Sequence, residues 1–164
     1  MPNIDWEAIY RLELPRVYNF LRYRVQDDAL AEDLTGATFL RAWRSREQYR
    51  ADLSAFSTWL FSIARNLAAD YFRRRRDEIS LEVVAMQPDS LVVEEIAERS
   101  ADLRQLAALL RDLNQREQEL IALKYGAGLT NRAIADITGL SESNVGTILH
   151  RIVVRLREQM GVEQ

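Results

Sequence analysis

A chain of 164 residues, 48% of them apolar and 29% charged, is long enough for one globular domain or two small ones. The absence of cysteine excludes disulfides and thiolate metal sites, and a single histidine, His150, argues against a histidine metal centre or a catalytic triad. We therefore expect no catalytic residue, no metal and no cofactor. No segment approaches the roughly 18 apolar residues of a membrane span, and no basic and then apolar leader is present, so we expect a cytoplasmic protein without membrane insertion.

Charge is distributed unevenly along the chain, whose net charge is −3. Residues 1–77 carry 13 basic and 11 acidic groups, whereas residues 78–112 carry 3 and 8. The segment from Asp77 to Ser90 contains Pro88 and shows little periodicity, which is typical of a flexible linker. We therefore predict a domain of residues 1–77, an acidic linker of residues 78–92 and a second domain of residues 93–164.

Helical signals begin close to the start of the chain. Asp5 is placed to cap a first helix, and Pro15 either bends that helix or starts the next one. Asp27 and Asp28 open a second helical element. Its apolar residues recur at steps of three and four, which predicts one stripe along the helix: Leu30, Leu34, Ala37 and Leu40.

The helix that begins near Phe56 and ends in four arginines, Arg73 to Arg76, organises the first half of the chain. Its apolar residues form one stripe, and its opposite face is polar. Two interpretations of the polar face remain open: a nucleic-acid surface, or a solvated basic cap that suits the C-terminal end of the helix dipole. The polar face contains Ser62, Arg65, Asn66, Asp70 and Arg73.

The second half of the chain predicts a helix, a glycine turn and another helix. A helix from Asn131 to Thr138 ends at Gly139, and Ser141 caps a longer helix that reaches about Gln159. Such a pair is either a DNA-binding helix-turn-helix or an ordinary αα-hairpin. No segment predicts a strand, so we expect an all-α protein. In a helix-turn-helix the start of the second helix enters the major groove, with these residues facing outward: Ser141, Ser143, Gly146, Thr147, His150 and Arg151.

Two stretches of sequence now become recognisable. Residues 31–43 (AEDLTGATFLRAW) and 56–76 (FSTWLFSIARNLAADYFRRRR) resemble sigma region 2 of bacterial RNA polymerase sigma factors. Residues 113–125 (LNQREQELIALKY), followed by Leu129 to Arg157, are similar to sigma region 4. Order, spacing and length resemble those of extracytoplasmic-function (ECF) sigma factors, which lack sigma regions 1.1 and 3. The resemblance implies a helical bundle and a helix-turn-helix domain joined by the acidic linker.

The resemblance also implies roles for matching residues. The second helix would dock on the clamp coiled coil of core RNA polymerase through Asp33, Leu34, Thr38, Phe39, Arg41 and Trp43, although intradomain packing is an open alternative for Leu34 and Trp43. Residues of the following loop and of the next helix would capture the displaced strand at the minus-ten element: Tyr49, Arg65, Asn66, Asp70, Arg73 and Arg74. The second domain would bind the polymerase flap and read the minus-thirty-five element.

The sequence departs from the family at two places. Gly36 and Ala37 stand where a Gln-Glu pair is usual, which predicts weaker docking. Val153 and Val154 occupy a stretch of the recognition helix that is usually basic, which predicts a weaker grip on phosphate. Val154 is expected to face solvent, DNA or a protein such as an inhibitory anti-sigma factor, which would hold the protein inactive and could retain it at the membrane.

Three functions are compatible with the sequence. The leading hypothesis is an alternative sigma factor that directs promoter-specific initiation. A stand-alone helix-turn-helix regulator is the second, but it leaves the match from Asp33 to Trp43 without a purpose. An enzyme is the third, but the adjacent acidic pairs Asp27-Asp28 and Glu94-Glu95 project apart on a helix and cannot share one substrate.

Overall fold

The computed structural model describes residues 4–81 and 101–162, and every regular element in those two ranges is helical. The all-α prediction is confirmed for this part of the chain. The predicted start of the second domain, residues 93–100, lies outside the described residues, as does most of the predicted linker. The elements are α1 (Trp6–Val25), α2 (Asp28–Arg44), a 3-10 turn (Arg46–Gln48), α3 (Phe56–Leu81), α4 (Ala101–Asp112), α5 (Gln115–Ile121) with a π-helical turn (Ala122–Gly126), α6 (Asn131–Thr138) and α7 (Glu142–Met160).

Five helix starts are fixed by side-chain caps. Each cap accepts a hydrogen bond from the backbone N–H three residues further on, which satisfies a donor that the helix itself leaves free. At α5 the cap is reciprocal, because the Glu117 carboxylate in turn accepts from the backbone N–H of Asn114. Such caps are worth about 1 kcal/mol each. The caps are Asp5, Asp27, Asn114, Thr130 and Ser141.

Pro15 lies inside α1, so the first element is one helix, which is one of the two alternatives that the sequence left open. Another helix differs in length from its prediction. The helix α3 continues past Arg76 to Leu81 and therefore enters the segment predicted as linker. Residues 77–81 contain neither glycine nor proline, so no residue there stops the helix.

The first three helices enclose one core. Val17 and Leu21 of α1 and Leu60 of α3 are fully buried, and the rings of Phe20 and Phe61 meet edge to face at 5.9 Å between centroids. The face of α2 that packs on this core consists of small side chains, which lets the α2 backbone lie close to α1 and α3. That face consists of Ala31, Thr35, Thr38 and Ala42, and not of the predicted leucine stripe.

The second half of the chain forms the predicted helix-turn-helix. Gly139 adopts φ 79°, a left-handed conformation that glycine tolerates and that ends α6 before Ser141 starts α7. The seam between these helices is buried, and α4 lies along α7, where the Gln105 side chain donates to the Gln159 carbonyl at 3.0 Å. The seam and the helix beneath it contribute Leu120, Leu123, Ile134, Ile137, Val145, Leu149 and Ile152.

The two halves pack against each other in one closed arrangement. Gly126 lies against α1, where a Cβ atom added to it would come within 3.0 Å of the Asn19 carbonyl oxygen and 3.1 Å of the Tyr23 ring. Beside it the Arg16 Nε donates to the carbonyl of Ala127 at 3.2 Å. A side chain at position 126 would press on α1, so this turn of the second half lies directly against that helix.

Candidate polymerase and nucleic-acid interface

The outer face of α2 carries most of the residues predicted to meet the polymerase. Asp33 and Arg41 are exposed, and Leu34 and Phe39 are half-buried. Trp43 is 46% exposed, although its ring meets that of Trp6 edge to face at 5.2 Å between centroids. Since α2 packs on α1 and α3, this face is left open to solvent by the arrangement of the helices.

Thr38 is a correction to the predicted polymerase-binding set. It is fully buried, and its hydroxyl donates to the carbonyl of Leu34 at 2.7 Å. It belongs to the small-residue face that packs on the core, so its position gives no access to a partner. Leu40 is not in the predicted set, although it lies between Phe39 and Arg41, and it is 49% exposed on the outer face.

Tyr49 follows the 3-10 turn and is held in place by its neighbours. Its hydroxyl donates to the Ser54 carbonyl at 3.0 Å, and its ring lies 5.2 Å from that of Phe56 and 5.3 Å from that of Trp59. The ring is therefore half-buried in an aromatic cluster.

Arg65 lies on the polar face of α3, and its guanidinium is bound to the second half of the chain. Its Nε donates to the carboxylate of Glu119 on α5, and its Nη1 donates to the carbonyl of Ile137 at 3.2 Å. Asn66, the next residue, is exposed. The second half of the chain thus occupies part of the predicted strand-contact surface.

The C-terminal part of the polar face of α3 is less covered by the second half of the chain. The Asp70 carboxylate accepts from Arg73 at 3.0 Å, one turn apart on the helix. Arg74 is exposed, whereas Arg75 turns inward and donates to the hydroxyl of Tyr71 at 2.8 Å. Five of the six predicted minus-ten residues lie on α3, and Tyr49 lies in the loop before it. Of these residues, Asn66, Arg73 and Arg74 are exposed in the closed arrangement.

The recognition helix α7 presents most of its predicted residues. Ser143, His150 and Arg151 are exposed, and Thr147 is exposed with its hydroxyl donating to the Ser143 carbonyl at 3.0 Å. The Ser141 hydroxyl is committed to its own helix, because it accepts from the backbone N–H of Asn144. Gly146 is half-buried where α7 crosses α6, and a Cβ atom there would lie 3.5 Å from the Asn131 amide.

The C-terminal half of α7 is poor in free positive charge. The Arg155 guanidinium forms an ion pair with the carboxylate of Glu117, which is itself part of the α5 capping box. Val153 and Val154 are half-buried, and Arg157 is exposed. One of the three arginines that the sequence leaves in this stretch is therefore engaged within the protein.

Both halves of the chain match sigma-factor families. The family model for Sigma-70 region 2 matches residues 9–78, and that for Sigma-70 region 4 matches residues 103–156. The RNA polymerase sigma factor CarQ of Myxococcus xanthus is 32% identical over 95% of this chain and 89% of its own length, and the ECF sigma factor SigM of Bacillus subtilis is 30% identical over 92% of each. The chain belongs to the ECF sigma factors of RNA polymerase.

Further comparisons agree with this assignment. The ECF sigma factor BldN of Streptomyces coelicolor is 33% identical over 84% of this sigma factor, which spans about half of BldN, 53% of its length. The sigma factor RpoE of Bartonella quintana, solved in complex with the anti-sigma factor NepR, superposes with a TM-score of 0.75 at 25% identity over 98% of this chain and 99% of that one. CnrH, solved with the cytosolic domain of CnrY, shares the fold with a TM-score of 0.67 at 20% identity. The match covers 96% of this chain and 88% of CnrH.

Membership in this family makes the protein a transcription initiation factor, and it removes the stand-alone regulator from consideration, because region 2 is present together with region 4. Among the described residues there is no group of three or more His, Cys, Asp or Glu side chains that could hold a metal ion. Within the same two ranges no helix is long and apolar enough to cross a membrane.

A cleft between the two halves of the sigma factor was not predicted from the sequence. The cleft measures about 580 Å³ and is walled by α1, α3 and α5. Arg24 of α1 projects into it and is buried, which lowers the pKa of its guanidinium through loss of solvent, although the nearby Glu119 carboxylate counteracts this shift and Arg65 adds to it. The sequence could have indicated this burial, because Arg24 follows Val17 and Leu21 at steps of four and three and so lies on the buried side of α1.

Proposed function

We propose that this sigma factor binds core RNA polymerase through the outer face of α2. The observation that carries this proposal is the exposed mixture of charge and apolar surface on that helix, with Asp33 and Arg41 beside Leu40 and Trp43. Charged residues around an apolar centre are the usual composition of a specific protein interface. The second half of the chain leaves this face open even in the closed arrangement, so docking requires no prior rearrangement.

We propose further that the polar face of α3 captures the displaced strand at the minus-ten element. The contact residues are Arg65, Asn66, Asp70, Arg73 and Arg74, with Tyr49 at the edge. Opening a base-pair step costs on the order of 1.4 kcal/mol, and stacking a freed base on an aromatic side chain returns about 1 to 3 kcal/mol. Because Arg65 is tied to Glu119, full capture requires the two halves to separate on the polymerase.

The helix α7 supplies the second promoter contact. Ser143, Thr147, His150 and Arg151 lie on its exposed side, and small or polar side chains of this kind suit the edges of bases in the major groove. Few free cations follow them toward the C-terminal end. We therefore expect this domain to bind the minus-thirty-five element weakly by itself, and tightly when the polymerase flap and the first domain tether it.

An anti-sigma factor is the partner that we propose for the inactive state. Support comes from the likeness to RpoE of Bartonella quintana, which was solved with its anti-sigma factor NepR. The exposed apolar side chains of α2 offer a surface that such a partner could cover in place of the polymerase. The active factor would work in the cytoplasm. An anti-sigma factor anchored in the membrane would hold the inactive factor at the membrane surface.

Transcription in vitro with core polymerase and a pool of genomic promoters tests this proposal directly. We expect the protein to co-purify with core enzyme and to start transcripts from a defined subset of promoters. A protein that binds promoter DNA but neither associates with core enzyme nor supports initiation would contradict the proposal.

A further inference from the structure

Arg24 has a buried charge without a matching carboxylate. Its side chain is only 8% exposed, and its Nη1 and Nη2 donate to the neutral amide oxygens of Gln118 at 3.3 Å and Gln115 at 3.1 Å. Its Nε has no hydrogen-bond partner, and no carboxylate of the described residues lies within ion-pair distance of it. Glu119, the nearby acid, is engaged by Arg65.

A buried cation in this state is unusual, because a charge removed from water is normally paired or surrounded by acceptors. Burial lowers the pKa of the Arg24 guanidinium, the Glu119 charge raises it in part, and the Arg65 charge lowers it further. The ring of Phe72 lies 4.8 Å from the guanidinium and contributes a cation–π contact, which offsets only part of the lost hydration. The guanidinium of Arg24 is therefore a positive charge that the surrounding residues compensate only in part.

The cleft beside Arg24 has the size of a small-molecule site and a strongly basic lining. Its volume of about 580 Å³ falls within the range of roughly 300 to 1,000 Å³ that is usual for ligand pockets. Five arginines face one glutamate, and an apolar strip runs along α3 between the charged groups. The arginines are Arg24, Arg65, Arg75, Arg76 and Arg116, and the apolar strip is Ala69, Phe72 and Ile79.

We propose that this cleft binds a nucleoside polyphosphate. Guanidinium groups form paired hydrogen bonds with phosphate oxygens, and several of them around one cleft match the repeated charges of a polyphosphate. The apolar strip beside Phe72 provides a surface for a base, and the exposed amide of Asn66 provides a donor and an acceptor at the rim. A free nucleotide is favoured over a DNA strand because helices of both halves wall the cleft and Glu119 ties Arg65 across it.

This binding site has a regulatory consequence that goes beyond the proposed initiation function. Its walls come from both halves of the chain, so a bound anion bridges α1 and α3 to α5. Such a ligand favours the closed arrangement, since a ligand shifts an equilibrium toward the state that it binds better. Arg65 and Asn66 would then be withheld from the promoter strand while the nucleotide is bound.

Isothermal titration calorimetry on the full chain, without polymerase, tests the site with adenosine triphosphate as the probe in metal-free buffer at constant ionic strength. Arg76→Gln and Arg116→Gln each remove one exposed wall charge and should weaken binding about tenfold, because a charge-assisted hydrogen bond is lost. Arg104→Gln on α4 is the matched control. Arg104 is exposed and does not line the cleft, so its removal should leave the affinity unchanged.

Titrations with other ligands distinguish between the possible occupants of the cleft. Tripolyphosphate should bind more weakly than adenosine triphosphate, and adenosine alone should not bind. Equal binding of tripolyphosphate would overturn the nucleoside part of the proposal. A single-stranded oligonucleotide that binds in an Arg76-dependent way, while the nucleotide does not, would overturn the site and make the cleft part of the DNA path. Absence of all binding would also overturn it, and none of these results bears on polymerase recruitment.

Discussion

Arg65 and Glu119 form an ion pair that joins the two halves of the chain, although the residues are 54 positions apart in sequence. The carboxylate of Glu119 neutralises an arginine that the family resemblance places at the promoter strand. The carbonyl of Ile137 accepts a second hydrogen bond from the same guanidinium at 3.2 Å. The closed arrangement thus engages a residue of the predicted promoter-contact set in holding the second half of the chain in place.

Breaking this ion pair should expose the strand-contact face. We expect Glu119→Gln to raise the affinity of the free protein for a single-stranded minus-ten oligonucleotide about threefold to tenfold, since a partly exposed ion pair is worth on the order of 1 kcal/mol. Fluorescence anisotropy of a labelled oligonucleotide measures this affinity. Glu7→Gln is the control, because it removes the same charge from an exposed pair with Arg11 inside α1. Equal affinities for all three proteins would show that the ion pair does not restrict access.

The close approach at Gly126 predicts a second way to open the molecule. In Gly126→Ala the new methyl group would press on the Asn19 carbonyl at 3.0 Å and on the Tyr23 ring at 3.1 Å. Because backbone cannot move aside cheaply, the two halves should shift apart at a cost of about 1 to 3 kcal/mol. Small-angle scattering should report a larger radius of gyration.

Gly36→Ala is the matched control for the change at Gly126. Gly36 lies in α2 with no atom within 4 Å of the added methyl group, so the change should stabilise the helix by about 0.5 to 1 kcal/mol and leave the radius unchanged. An unaltered radius in Gly126→Ala would mean that the packing of the halves accommodates a side chain at this position.

The docking face of α2 can be tested by charge reversal. The double change Asp33→Arg and Arg41→Glu should abolish co-purification with core RNA polymerase, because like charges would then oppose the partner surface. A matched reversal of the exposed pair Arg50 and Asp52, in the loop before α3, should leave binding intact. Circular dichroism checks that each variant is folded. Wild-type binding by the folded α2 variant would place the docking site elsewhere.

Asn66 should matter for opening the promoter rather than for first binding it. We expect Asn66→Ala to reduce permanganate reactivity at the minus-ten element about tenfold, which corresponds to the loss of roughly 1.4 kcal/mol of strand contact. A template with a pre-melted bubble should restore transcription, because strand separation is then supplied in advance. Normal melting by the variant would remove Asn66 from the strand-capture surface.

The recognition helix should gain affinity from one added charge. Val154→Lys should strengthen binding of the full chain to duplex DNA of any sequence and steepen the slope of log affinity against log salt by up to about 0.9, which is the contribution of one neutralised phosphate. An unchanged slope would place Val154 away from the backbone. Loss of anti-sigma binding in the same variant would instead assign this half-buried valine to a protein interface.

The amino-acid sequence alone determined the local features of this protein. The helix caps at Asp27, Asn114 and Ser141 and the glycine turn at Gly139 were predictable, because each depends on residues only a few positions apart. The family was recognisable for the same reason, since its motifs are continuous stretches. The helix-turn-helix followed from these signals together with the apolar periodicity of the two helices.

Only the tertiary structure decided which residues are accessible. The periodicity of α2 favoured its leucines as the inward stripe, but close packing selected the small face and buried Thr38. The pairing of Arg65 with Glu119 and the burial of Arg24 arise where two distant segments meet. No local pattern encodes such a meeting, because it depends on how the two halves fit together, and that fit rests on the space that Gly126 leaves for α1.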